Sequence, residues 1–208
     1  MSAPSLSENE QKALLRRAAR WRLVALLLEC PREGWGEQLA GLTSEARDRQ
    51  LAKAVRWARR EASVELYHTT FGPGGPARVR EVACGDWVQP GLRIARLLGL
   101  YEAFGYRPAL SEPPDHVAVE AGFVAYLHLK ACYAMTQGRP PEAELALQTA
   151  RSFALEHLSR FAESLAEQLS TGPVRYLRLA GEALRRRVRL EHAAPAARGT
   201  RRDCREAR

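Results

Sequence analysis

The sequence predicts an all-α fold, a single-domain helical bundle, and three observations support this. Apolar residues recur at intervals of three and four along most of the chain, as on one face of a helix. No stretch alternates apolar and polar residues for long enough to build a sheet. The length of 208 residues, 46% of them hydrophobic, is sufficient for one sizeable core. We therefore expect a helical domain over residues 1–192 and a disordered, Arg-rich tail over residues 193–208.

The first predicted helix follows a capping pair formed by Ser7 and Glu10 and is stopped by Pro31. Its apolar stripe comprises Leu14, Ala18, Trp21, Ala25 and Leu28. A second helix is predicted to start near Thr43 or Ser44. Its buried face comprises Leu51, Val55 and Ala58.

A third helix is predicted to end at residue 71, with an apolar face made of Val64, Tyr67 and Phe71. The sequence GPGGP at residues 72–76 then breaks the helix, and residues 77–87 show no regular period. We interpret 72–87 as an ordered loop, a kind of segment that is often functional when it is this long. The GPGGP segment lacks the GK[ST] ending of a phosphate-binding loop, so we expect a helix breaker instead.

The second half of the chain is predicted to be helical almost throughout. A fourth helix starts at Gln89-Pro90 and ends at Gly105, and its apolar face comprises Ile94, Leu98 and Tyr101. A fifth helix starts within EPPDHVAVE at residues 112–120 and runs to residue 138. A sixth helix spans about 141–169, and a last one spans about 174–192 after the Gly-Pro pair at 172–173.

The start of the fifth helix contains more polar residues than a helix start requires. Proline at the first helical position and an aspartate cap stabilise a helix by about 1–2 kcal/mol, which accounts for Pro114 and Asp115. His116 and Glu120 lie four residues apart on one face and are not needed for capping. They form either a surface His–Glu pair or part of a functional site. A metal site would require a further ligand at suitable spacing, which the sequence does not show.

The net charge of +8 suggests a nucleic acid or an anionic membrane as a partner. Residues 185–208, however, include nine arginines and three acidic residues, which gives this segment a net charge of +6. The remaining chain is therefore nearly neutral. A helical nucleic-acid-binding regulator that uses this basic C-terminus therefore remains the alternative function.

Cysteine spacing argues against a zinc site and against a disulfide framework, because no two cysteines are close in sequence. We interpret the four cysteines as reduced cytoplasmic thiols. They are Cys30, Cys84, Cys132 and Cys204. No uncharged apolar run is long enough to span a membrane. No nucleophile or paired-carboxylate motif argues for catalysis, so we expect neither an enzyme nor a bound cofactor or metal.

Three segments together resemble the TorD/DmsD family of redox-enzyme maturation chaperones. They are LYHTTFGPGGP, LYEAFGYRPALSEPPDHVAVEAGFVAYL and FALEHLSRF. Two features depart from the family pattern. Residues 79–82 read VREV where the family often has a Pro-Tyr-Glu-Ser-like stretch, and Arg160 replaces an aromatic residue after His-Leu.

The resemblance implies a TorD-like helical bundle in the cytoplasm that is not an enzyme. Such a chaperone binds the apo catalytic subunit of a molybdenum oxidoreductase, often through its twin-arginine signal peptide, and delays export until molybdopterin is loaded. It would act as monomer or homodimer, without nucleic acid. Its carboxylates would receive the arginines and its apolar side chains would contact the helical part of the peptide. The residues expected to bind this client are Tyr67, Phe71, Glu112, Asp115, His116, Glu120, Phe123, Tyr126 and Leu127.

Overall fold

A computed structural model of the chain describes residues 8–84, 89–108 and 111–193. These residues are predominantly helical and contain no β-sheet, which confirms the predicted all-α class. Their only β-type pairing is an isolated antiparallel bridge between Arg80 and His116. The predicted tail beyond residue 193 lies outside the described residues.

The helices are α1 Glu8–Leu28, α2 Trp35–Ala46, α3 Arg49–Glu61, α4 Val64–Phe71, α5 Pro90–Phe104, α6 Val117–Thr136, α7 Pro140–Phe153, α8 Ser159–Ser170 and α9 Arg175–Ala193. A π-helical segment, Ala154–Leu158, joins α7 to α8, so that residues 140–170 run as one helix. A single 3₁₀ turn, Glu81–Ala83, lies in the loop between α4 and α5. Within the described part of the chain, no helix is both long and apolar enough to cross a bilayer.

Helix α6 forms the centre of the bundle. It packs against α1 and α7, and most of its side chains are buried, on all faces of the helix. A helix that is apolar all round is expected in such a central position. Helix α9 closes the bundle by packing on α3, α8 and α1.

The prediction for the second helix was wrong at its start. Thr43 and Ser44 lie inside α2, a helix that the sequence analysis did not anticipate. Arg47 ends α2 in the left-handed conformation, with a φ of 45°. The carboxylate of Asp48 then caps α3 by accepting hydrogen bonds from the backbone amides of Gln50 and Leu51.

The predicted face of the fourth helix was wrong at one position, Leu98, and was confirmed at Tyr101. In α5 the buried side chains are Leu97 and Tyr101, whereas Leu98 is half-exposed. Val64 is also half-exposed at the start of α4, so it does not belong to the buried face of that helix. The predicted end of α5 is confirmed, because Gly105 takes the left-handed conformation that terminates a helix.

Candidate functional site

A groove of about 530 Å³ lies where the end of α4, the loop after it and the segment before α6 meet. We call it the α4–α6 groove. Four of the residues predicted to bind a client line it together, namely Tyr67, Phe71, Glu112 and His116. The structure thus brings together residues that are up to 49 positions apart in the sequence.

The glycine-rich loop after α4 forms one wall of this groove. At two of its positions only glycine fits. A Cβ atom on Gly72 would lie 2.3 Å from the carbonyl oxygen of His68, and one on Gly75 would lie 2.4 Å from that of Thr70. Gly74 has a φ of 79°, which L residues rarely adopt. The GPGGP sequence therefore does more than end α4, since it also folds the chain tightly against the helix it leaves.

Three polar side chains form a hydrogen-bonded chain at the base of the groove. The Tyr67 hydroxyl donates to Glu112 Oε1 at 2.8 Å and lies 3.0 Å from His116 Nε2. Because the hydroxyl has one proton and gives it to Glu112, the Nε2–H of His116 donates to the tyrosine oxygen. Nδ1 of the same ring accepts from the amide of Ala118 at 3.1 Å. Both ring nitrogens of His116 are therefore used, and the neutral tautomer is fixed.

Burial determines the protonation of this chain of side chains. It lowers the pKa of His116 to about 4, although the nearby Glu112 and Asp115 favour the charged ring. Burial, followed by the hydrogen bond to Glu112, raises the pKa of Tyr67. The neutral histidine thus donates to the protonated tyrosine, and the tyrosine donates to the Glu112 carboxylate. Glu112 itself is only partly buried.

Asp115 does not cap α6 as predicted. The N-cap is His116, and the fully buried Asp115 carboxylate receives the Arg80 guanidinium instead. Arg80 Nε and Nη2 donate to Oδ1 at 3.0 and 2.8 Å, and the amide of Val82 is 3.3 Å from Oδ2. Two backbone hydrogen bonds, from the amide of Glu81 to the carbonyl of Asp115 and from the amide of Val117 to the carbonyl of Val79, hold the extended segment 79–81 against residues 115–117. Asp115 therefore attaches the loop after α4 to the start of α6.

Glu120 lies one turn further along α6 and is fully buried. Neither of its carboxylate oxygens has a hydrogen-bond partner. Burial, with the negative charges of Glu81 and Asp115 adding to it, raises the pKa of Glu120 well above its usual value. Glu120 is thus not on the surface, which excludes the surface His–Glu pair that the sequence left open.

Glu81 and His157 complete a buried cluster with Glu120, and their ligand-type atoms all lie within 4.8 Å of one another. Glu81 accepts from Arg93 and lies 3.1 Å from His157 Nδ1. Burial acts to raise the pKa of Glu81, but the hydrogen bonds from His157 and Arg93 outweigh it and lower that pKa. Arg160, one of the departures from the family pattern, has its Nε 3.9 Å from Glu81.

The other predicted site residues lie elsewhere. Phe123 and Leu127 are completely buried in the core, so the expected apolar surface beside the helix start is not formed by them. Phe123 packs instead against Tyr101 and Phe153. Tyr126 is partly buried, donates to the carbonyl of residue 104 and lines a separate depression.

Sequence reasoning missed Arg80, Glu81, Arg93 and His157 as parts of the site. The first two lie in the VREV stretch at 79–82, where a charged pair between valines is the only available signal. Their partners are 35 and 76 residues away. No local pattern identifies partners at such distances.

Several arginines of the basic C-terminal region are engaged in ion pairs. Arg187 pairs with Asp48, a residue that is itself largely buried. Arg185 and Arg189 both pair with the exposed Glu163. These contacts neutralise part of the charge that suggested a nucleic-acid partner, and they attach α9 to α3 and α8.

Comparison with known proteins gives one informative result. A family model described as nitrate reductase delta subunit matches residues 32–167, which include α2 to α7 and most of α8. No curated protein and no solved structure matches the chain. The family match confirms the resemblance to redox-enzyme maturation chaperones, and it supports a role in molybdoenzyme maturation in general.

Proposed function

Because the chain belongs to the nitrate reductase delta subunit family, we propose that it is a cytoplasmic chaperone dedicated to one molybdenum oxidoreductase. It binds the apo catalytic subunit through a twin-arginine signal peptide and releases it for export after molybdopterin has been inserted. It performs no catalysis of its own. The client peptide occupies the α4–α6 groove.

The observation that carries this proposal is the position of Glu112 in the groove. It is a carboxylate that lines the groove and is held there by the Tyr67 hydroxyl at 2.8 Å. A guanidinium group of the client can pair with it through charge-assisted hydrogen bonds. The side chains of Phe71, Ala77 and Pro113 provide apolar surface next to this carboxylate for the residues that follow the arginines.

Charge on the groove walls orients the peptide. Arg78 is exposed and Arg80 is partly exposed on the wall formed by the loop after α4. The charge of Arg80 is compensated by its pair with Asp115, so the positive charge that repels the client arginines from that wall comes from Arg78 and favours an orientation in which the arginines face Glu112. Asp115, which is buried beneath Arg80, supports this wall and does not itself receive the client.

His116 acts as a positioning residue in this proposal. Its Nε2–H holds the Tyr67 oxygen, and the tyrosine hydroxyl in turn holds Glu112. The orientation of the ring is fixed by the hydrogen bond that its Nδ1 accepts from the amide of Ala118. The helix start thus fixes the rotamer of the carboxylate on which binding depends.

The test is calorimetric titration of the full chain with a synthetic peptide containing Arg-Arg followed by an apolar run, and with its Lys-Lys counterpart. Glu112→Gln should weaken binding of the arginine peptide by about 10- to 100-fold, since a hydrogen bond to a charged group contributes about 1.5–3 kcal/mol. Glu144→Gln, which changes an exposed carboxylate of α7, is the matched control and should bind like the wild type.

Equal affinities of wild type, Glu112→Gln and Glu144→Gln would place the peptide outside the groove. Equal binding of the arginine and lysine peptides would contradict recognition through a guanidinium group. The nucleic-acid alternative is tested by filter binding of duplex DNA at two salt concentrations, where a steep salt dependence would support it. A chain lacking residues 194–208 should still bind the arginine peptide.

A further inference from the structure

The cluster of Glu81, Glu120 and His157 is unlike the groove in that it is closed to solvent. All three residues are buried, and they come from the 3₁₀ turn, from α6 and from the π-helical segment. The ring of His157 stacks on Phe153 with a centroid distance of 4.4 Å, which fixes its plane. Three separate elements thus direct one nitrogen and two carboxylates toward a common point.

Glu120 is the unusual member of this cluster. It is fully buried, and both of its oxygens lack a hydrogen-bond partner. A buried polar group without a partner is costly, and a buried carboxylate is tolerated when it is neutralised or coordinates a metal. Capping and packing of α6 do not require a glutamate at this position, because alanine or valine occupies the neighbouring buried sites.

The charges in the cluster match a divalent cation. Glu81 is neutralised by Arg93, and Glu120 has no cationic partner within hydrogen-bonding distance. One divalent cation between the two carboxylates would supply both positive charges and would compete with Arg93 for Glu81. Arg93 comes from α5, and its Nη2 also donates to the carbonyl of Glu156 at 3.1 Å. The guanidinium therefore keeps a backbone acceptor when a metal ion takes its place on Glu81.

We propose that Glu81, Glu120 and His157 form a binding site for a divalent transition-metal ion of the Zn²⁺ or Co²⁺ class. Imidazole nitrogen and carboxylate oxygens are suitable ligands for these ions, at about 2.0–2.2 Å. Tetrahedral coordination requires ligand atoms about 3.4 Å apart, so the side chains must move inward by about 1 Å. The site is separate from the proposed peptide groove, and its existence does not depend on the proposed function.

From the sequence we expected no metal, because His116 and Glu120 had no third ligand at suitable spacing. In the fold, the further ligands come from residues that are distant in the sequence. His116 is occupied by Tyr67 and the amide of Ala118, whereas Glu81 and His157 reach Glu120 from distant parts of the chain.

The experiment uses the full chain, stripped with a chelator and titrated with Co²⁺, whose visible absorption distinguishes oxygen and nitrogen ligands from thiolates. We expect one Co²⁺ per chain, no thiolate charge-transfer band, and displacement of Co²⁺ by Zn²⁺. Glu120→Gln keeps the shape of the side chain and should weaken Co²⁺ binding at least about 10-fold. Glu163→Gln, on an exposed carboxylate of α8, should leave it unchanged.

Arg93→Gln provides a test in the opposite direction. It removes the guanidinium that competes for Glu81, so Co²⁺ binding should become about 10-fold tighter even though the metal-free protein is less stable. If Glu120→Gln does not fold, His157→Gln and Arg93→Gln still give opposite expected shifts. Equal Co²⁺ affinity in the wild type and Glu120→Gln, or a thiolate band, would overturn the proposal and leave Glu120 neutralised by a proton alone.

Discussion

The buried histidine that caps α6 and the buried histidine within α6 have opposite surroundings. His116, at the start of the helix, uses both ring nitrogens, one with the amide of Ala118 and one with Tyr67. His128, three turns further along, is equally buried, and neither of its ring nitrogens has a hydrogen-bond partner. Burial lowers the pKa of each to about 4. The same residue type in the same helix is thus positioned by its partners at one place and only enclosed at the other.

This difference indicates which polar residues the fold holds in one orientation. A buried polar group with all its partners is fixed in one orientation and can position a neighbour, as His116 positions Tyr67. A buried polar group without partners lowers stability and positions nothing. Burial and pKa alone therefore do not distinguish these two histidines from each other, whereas their hydrogen-bond partners do.

The largest effect is expected when a fully partnered group is deprived of its partner. Arg80→Met leaves the buried Asp115 carboxylate with only the amide of Val82, and should lower the free energy of unfolding by about 3 kcal/mol. Urea denaturation measures this. The double variant Arg80→Met/Asp115→Asn should recover at least half of the loss, and a failure to recover would mean that the ion pair does not account for the effect.

Acidification is expected to affect both histidines in the same direction. Each has a pKa of about 4 in the folded chain and about 6.5 when unfolded, so the unfolded state takes up more protons below pH 6.5. The contribution of the two histidines to stability should therefore fall as the pH drops from about 6.5 towards 4, with about 2 kcal/mol lost per histidine at pH 5. Glu120, whose pKa is raised, contributes in the opposite direction, so the effect is measured as a difference between variants. His128→Leu should lose about 2 kcal/mol less than the wild type between pH 7 and pH 5. An identical pH profile would show that His128 is accessible to protons in the folded state.

At neutral pH, removal of the histidine without partners should be stabilising. His128→Leu eliminates two buried ring nitrogens that make no hydrogen bond, and we expect a gain of about 1–2 kcal/mol. The measurement is a thermal melt at pH 7. A clear loss of stability would indicate that His128 has a partner, such as a buried water, and would weaken the comparison.

The smallest effect separates capping from positioning at His116. His116→Asn retains a side chain that caps helices well, whereas His116→Ala does not, so Asn should be more stable by about 1 kcal/mol. Both variants lose the contact with Tyr67 and should weaken binding of the arginine peptide by similar factors. Peptide affinity that follows stability instead would reduce His116 to a cap.

The sequence predicted the long helical runs well and the short helix α2 poorly. Helices α1 and α6 to α9 were found because their apolar residues form continuous patterns with Pro or Gly at the ends. Helix α2 was missed because it buries few residues and contains Gly36 and Gly41. The face of α5 was misplaced by one residue since Leu97 and Leu98 are equivalent in the sequence but not in the bundle.

The candidate site was predictable to the extent that the family resemblance indicated it. Tyr67, Phe71, Glu112 and His116 meet in one groove, as expected of residues drawn from the resembling segments. The role of Asp115 was misjudged because a cap is a local interaction, whereas its actual partner is 35 residues away. Interactions across such distances depend on how the helices pack, which a single sequence does not specify.

The packing of α9 against α3 has a consequence for the synthesis of this chain. The buried ion pair of Arg187 with Asp48 joins residues 139 positions apart, and α3 packs on α9 as well as on α1 and α2, which precede it in the chain. At a translation rate of about 5–20 residues per second, those 139 residues take roughly 7–28 s to appear. During that interval the side of α3 that packs on α9 is without this partner helix. A chaperone of this family is thus itself a nascent chain in need of protection before it protects another.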